Sequence, residues 1–125
     1  MSLKSIRMEL ARDAAHPSGD ASHGYEFRAP LTADGFLDEG KWTDNKALCT
    51  VRHFGRGAEE HGLLIKLKHS HWAFSYAPGE DDDEPVFKLG THRFAPGEYI
   101  TVTEHDHTER TFKVVSVTDW TPTRH

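Results

Sequence analysis

Apolar and polar residues alternate almost from the start of the chain. Ile6, Met8 and Leu10 fall on one side of an extended backbone, and Arg7, Glu9 and Ala11 on the other. A period of two marks a half-buried strand. Tyr25, Phe27 and Ala29 repeat the pattern against Glu26 and Arg28, after the turn residues His16-Pro17-Ser18-Gly19-Asp20. Proline presets φ in such a turn and glycine accepts a positive one. Pro30 suits a strand terminus, where no ladder donor is needed. Beyond Thr32-Ala33-Asp34-Gly35 the apolar spacing becomes irregular, through Phe36, Leu37, Trp42 and Leu48. Asp38 is placed to begin a helical turn or two over residues 38–46, laying Trp42 across one open end of a barrel.

Residues 48–54 read as the next strand, and Leu63-Leu64-Ile65-Lys66-Leu67-Lys68 as the cleanest one. The pattern predicts Leu63, Ile65 and Leu67 toward the core, with Lys66 and Lys68 toward water. Trp72, Phe74 and Tyr76 have the opposite parity, so a straight strand would throw three aromatics onto the lysine face. A reversal at His69-Ser70-His71 keeps both apolar sets inside. Residues 78–85, with Glu80, Asp81, Asp82, Asp83 and Glu84 between prolines, read as a solvated loop. Val86-Phe87-Lys88-Leu89 reads as a short strand. Residues 98–104 and 111–118 form a hairpin across His105–Arg110, with Val102 opposite Val114 or Phe112. The sum is an all-β fold, a small antiparallel barrel or sandwich of seven to eight strands with one short helix. The 125 residues suit a single domain, its core spanning about residues 5–120 with a frayed tail.

Composition narrows the function classes. The net charge of −5 argues against a dedicated nucleic-acid binder, which usually shows a positive excess. Protonating all ten histidines would take that −5 to +5, so solubility and self-association should respond to pH between about 5 and 7. The single cysteine, Cys49, excludes an internal disulfide and a multi-cysteine zinc site. The polar stretch Met1–Arg7 does not read as a secretory signal, and no apolar run approaches the ~20 residues that span a bilayer. These features point to the cytoplasm, with no membrane partner.

The histidines carry the sharpest chemical hypothesis. His69/His71 and His105/His107 are His-x-His pairs. On a strand such residues share a face about 7 Å apart, from ~3.3 Å of rise per residue, and two imidazoles can tilt onto one metal ion. A divalent transition metal held by His69, His71, His92 and His105 would make a cupin-like metalloprotein. The pattern departs from a cupin's: no Glu follows Trp72–Tyr76 before Glu80, and Glu98-Tyr99-Ile100 follows Gly97 where a His is wanted. With a reversal at residues 69–71, that pair sits on a polar turn, and His105–His107 crowns a second hairpin. His53 alternates with Val51 and Cys49, which suits a satisfied core histidine. Cys49 and His53 stand about 13 Å apart on a strand, too far for a nucleophilic pair.

A second alternative is a single-stranded nucleic-acid binder. Lys66, Lys68, Ser70, Trp72, Phe74 and Tyr76 would share one basic and aromatic face if the segment ran straight, although core aromatics explain them as well. The acidic run lacks the alternating ligands and central glycine of an EF-hand loop. No nucleophile stands beside a base in any known catalytic motif, so no catalytic residue is assigned and enzymatic activity is not the favoured reading.

The segments Gly90–Val102 and Thr111–Val117, together with His23-Gly24-Tyr25-Glu26-Phe27 and Trp72-Ala73-Phe74, resemble a set of small bacterial β-rich proteins with no assigned function. The resemblance implies a compact β domain and transfers no site residue. The favoured expectation is a non-enzymatic binding or accessory module without a cofactor. Its ligand would be a small molecule or a protein, held at a barrel mouth formed by Trp42, Arg52, Trp72, His92 and Tyr99. An exposed strand edge would permit homo-oligomers.

Overall fold

A computed structural model describes residues 3–12, 17–55, 59–68, 71–76, 83–86, 89–104 and 107–120. Eight strands run up and down in chain order and close into one antiparallel barrel. They are β1 (Leu3–Leu10), β2 (Asp20–Ala29), β3 (Thr50–Phe54), β4 (Glu60–Lys66), β5 (Trp72–Ser75), β6 (Glu84–Val86), β7 (Tyr99–Thr103) and β8 (Glu109–Trp120). The barrel alternative of the sequence reading is therefore the observed one. Closure comes from the long β8, which pairs with β1 from Leu3↔Trp120 to Leu10↔Phe112 across a register shift at Arg7/Met8. An eight-stranded barrel is just wide enough for side chains to fill it. Ile6, Met8, Tyr25, Phe27, Phe74, Ile100 and Phe112 are buried in one apolar cluster. The tail beyond residue 120 lies outside the described residues.

The expected helix is α1 (Glu39–Asp44), with Asp38 accepting a hydrogen bond from the Lys41 amide at 3.1 Å. It delivers Trp42 to one end of the barrel, where the indole donates to the Leu64 carbonyl at 3.1 Å and meets Trp72 edge-on at 4.7 Å. The connections β2–β3, β4–β5 and β6–β7 share this helical end. Those of β1–β2, β3–β4, β5–β6 and β7–β8 share the opposite one.

The chain does reverse between β4 and β5: Lys66 pairs with Trp72, and the Leu67 amide reaches the His71 carbonyl at 2.6 Å. The face expected of β4 is the wrong one, however. Leu64 is buried and Leu63 is exposed. Cross-strand partners share a face, and Leu64 lies opposite Phe74, so the inward aromatics of β5 select the even positions of β4. Lys66 on that face sits at the rim and pairs with Glu39 of α1.

Further expectations are revised. Val102 lies opposite Arg110, and Phe112 opposite Ile100. The strand expected over residues 86–89 is β6, which starts at Glu84 and includes Pro85, while Leu89–Thr91 form a 3-10 turn; Phe87 and Lys88 lie outside the described residues. The acidic run thus ends inside the sheet. Among the described residues, β6 and β7 are joined by the pair Val86↔Val102.

Gly55 ends β3 with φ +101°, and a Cβ there would stand 2.1 Å from the Ser22 carbonyl oxygen and 2.4 Å from the His23 Cα. Both the backbone angle and the close approach of β2 require glycine. Gly55→Ala is expected to destabilise the fold by about 2 kcal/mol or more, measured by urea unfolding.

Candidate functional site

At the end opposite α1, the inward face of the barrel changes from apolar to ionisable. Each strand follows its own alternation one step further. His23 precedes Tyr25 and Phe27 on β2, and His53 follows Val51 on β3. Glu84 precedes Val86 on β6, and Glu104 follows Val102 at the end of β7. All four polar side chains are buried, Glu84 at 0% and Glu104 at 2% exposure. Tyr25 and His53 are direct cross-strand partners. Their rings stack at 4.3 Å and 10°.

The carboxylate of Glu104 is the hub. Its Oε2 lies 3.0 Å from His23 Nε2 and 2.9 Å from His53 Nε2, and accepts from the Tyr25 hydroxyl at 2.8 Å. Its Oε1 accepts from Arg110 at 2.9 Å. The other nitrogen of His53, Nδ1, faces Glu84 Oε1 and Glu60 Oε1, each at 3.5 Å. Glu84 Oε1 also accepts from Tyr25 at 3.0 Å and from Tyr76 at 2.7 Å. His53 and Tyr25 therefore both bridge the two buried carboxylates.

Electrostatics follow from this arrangement. Burial alone would raise the Glu104 pKa, but the His23 hydrogen bond, the His53 imidazole 2.9 Å away, the Tyr25 hydroxyl and the charge of His23 hold it well below the usual carboxylate range. Desolvation and then the charge of Glu84 push the Tyr25 and Tyr76 hydroxyls far above their ordinary values, so both remain phenols and donors. Buried carboxylates are costly unless positive charge opposes them. Arg110 supplies such charge at Glu104, and the imidazole nitrogens offer a place for more, as a proton or a metal ion.

Among the described residues, His23, His53 and Glu104 are the one group of three or more His, Cys, Asp or Glu whose ligand atoms all lie within 4.8 Å of one another. Ligands bonded to a common ion at about 2.1 Å stand about 3.0–3.4 Å apart. The 2.9 and 3.0 Å separations around Glu104 Oε2 are close to that spacing. His53 was legible as a core histidine, whereas His23, Glu84 and Glu104 were missed. The signal that finds them is parity, since each occupies the next inward position beyond a recognised apolar residue.

The residues expected at a barrel mouth do not form one. Trp42 and Trp72 come together at the helical end but are buried in the core. Arg52 lies on the outer wall, paired with Glu59 at 2.6 Å and Glu26 at 3.8 Å, and Tyr99 is exposed there on β7. His92 is half-buried, with an Nε2 that has no hydrogen-bond partner among the described residues. Of the expected metal ligands, His71 is exposed, and neither it nor His92 belongs to the cluster, while His69 and His105 lie outside the described residues. Trp72 and Phe74 of the proposed nucleic-acid face point into the core. Burial pushes the Cys49 thiol up to about 11, which leaves no thiolate at neutral pH.

No protein-family model, curated protein or solved structure matches the chain.

A group whose pKa is depressed by folding contributes stability above its unfolded value and loses it as pH falls through the folded one. In the metal-free protein the Glu104 contribution is full at neutral pH and declines once the pH drops below about 4.5, the ordinary value. Glu104→Gln is expected to cost about 3 kcal/mol at pH 7 and markedly less at pH 3, measured by urea unfolding at both.

Proposed function

We propose that this barrel is a binding module whose ligand is a divalent transition metal ion, held by His23, His53 and Glu104. The observation that carries the reading is the convergence of two imidazole nitrogens on one buried carboxylate oxygen, at 3.0 and 2.9 Å. Two histidines and a carboxylate suit zinc or ferrous iron, and three protein ligands leave a coordination position for water or a further group. The surroundings also fit a metal centre. The second nitrogen of His53 faces a carboxylate, and the second oxygen of Glu104 is held by Arg110. Such outer partners orient ligands and strengthen them. The ligands come from β2, β3 and the end of β7, so the closed barrel sets their positions before any ion arrives.

This reading moves the metal hypothesis away from the His-x-His pairs and keeps its chemistry. The lone cysteine suits a reducing compartment such as the cytoplasm. Titrating purified, untagged protein with Zn(II) or Co(II) is expected to give one equivalent bound, with the visible absorption of nitrogen- and oxygen-ligated cobalt. His53→Ala and His23→Ala should each abolish tight binding, while His71→Ala leaves it intact. Retention of one tight equivalent in the His23→Ala/His53→Ala double variant would sink the assignment.

A further inference from the structure

Glu84 belongs to the acidic run yet is, among the described residues, the most deeply enclosed carboxylate. Counting along the strands from Val86↔Val102, Glu84 and Glu104 are the next inward positions on either side of the β6–β7 seam. Like charges so placed repel each other unless something bridges them. His53 stands between them, Nε2 toward Glu104 at 2.9 Å and Nδ1 toward Glu84 at 3.5 Å. Stacking on Tyr25 at 4.3 Å fixes the plane of its ring. A carboxylate accepts and does not donate, so when an ion takes Nε2 the one hydrogen of the neutral ring stays on Nδ1, where Glu84 faces it.

We infer that Glu84 is the positioning residue of the metal site: it holds the hydrogen of His53 on Nδ1 and thereby presents the Nε2 lone pair to the ion beside Glu104. The inference rests on the metal-binding reading above and adds a role for a residue that is not itself a ligand. Glu60 reaches the same nitrogen at the same 3.5 Å, but its side chain is 37% exposed. Water screens its charge. Glu84 is clamped by two phenols, at 3.0 Å from Tyr25 and 2.7 Å from Tyr76, and is shielded from solvent. It is therefore Glu84 that keeps the ring in one tautomer, and Tyr76 that keeps Glu84 in place.

The test compares Zn(II) affinity, by competition with a chromophoric chelator, and the ring N–H resonance of His53 in the zinc-loaded protein. Glu84→Gln should weaken zinc about 10- to 100-fold while keeping one equivalent, and should shift the Nδ1–H resonance upfield as the charge-assisted bond is lost. Tyr76→Phe, which leaves both His53 and Glu84 present, should move both readouts in the same direction by less. Glu60→Gln should change affinity by less than about threefold, as expected of a screened partner. Unchanged affinity and resonance in a folded Glu84→Gln protein would overturn the positioning role. So would a second zinc equivalent that disappears in Glu84→Gln, because Glu84 would then be a ligand. Failure of the wild-type protein to bind zinc or cobalt at all would remove the metal reading and this role with it.

Discussion

Two carboxylates enclosed at one end of a β-barrel, held apart and held together by the same imidazole and the same phenol, are the constraint on which this structure turns. Glu84 and Glu104 flank the seam where β6 and β7 meet at Val86↔Val102. His53 and Tyr25 both reach across it from β3 and β2, and the two acids are tolerated inside because nitrogen and hydroxyl donors surround them. A buried network of this kind is strong only when every member is satisfied. That ties the integrity of the barrel end to the completeness of this network.

The two ends of the barrel solve the same geometric problem in opposite ways. Toward α1 the interior is sealed by the edge-on contact of Trp42 with Trp72 and by the indole bond to Leu64. Such a seal is apolar and offers little to a charged ligand. At the other end the layer beneath the loops consists of His23, His53, Glu84 and Glu104, packed beside Phe112 and Phe74 through His23 and Tyr25. The low dielectric of that aromatic floor strengthens each electrostatic contact above it. The buried ionisable groups therefore gather at the end without the helix, opposite Trp42 and Trp72.

Much of the architecture was legible because strand alternation and turn chemistry are local. The inward sets of β1 and β2, the capped helix at Asp38, and the reversal before Trp72 follow from neighbouring residues. The inward face of β4 was misread: Leu63-Leu64-Ile65 is apolar at three consecutive positions, so only pairing with Phe74 decides which side is buried. The site was hidden for a related reason. Glu84 and Glu104 sit at strand ends, where polar residues ordinarily meet water, and Glu84 closes a run of acids that looks solvated, while His23 lies ahead of the alternation that begins at Tyr25. Extending each alternation one step would have listed all of them as inward. It would not have shown that they meet.

Alone, the sequence determined a small all-β chain with short strands, one brief helix and a core of aromatic and branched residues, because these properties depend on contacts a few residues apart. Tertiary structure decided that the sheet closes, that β4 turns Leu64 rather than Leu63 inward, and that residues 23, 53, 84 and 104 share one buried point. Those outcomes depend on which strands become neighbours and in what register. Groups up to 81 residues apart are brought within hydrogen-bond distance only when the barrel closes.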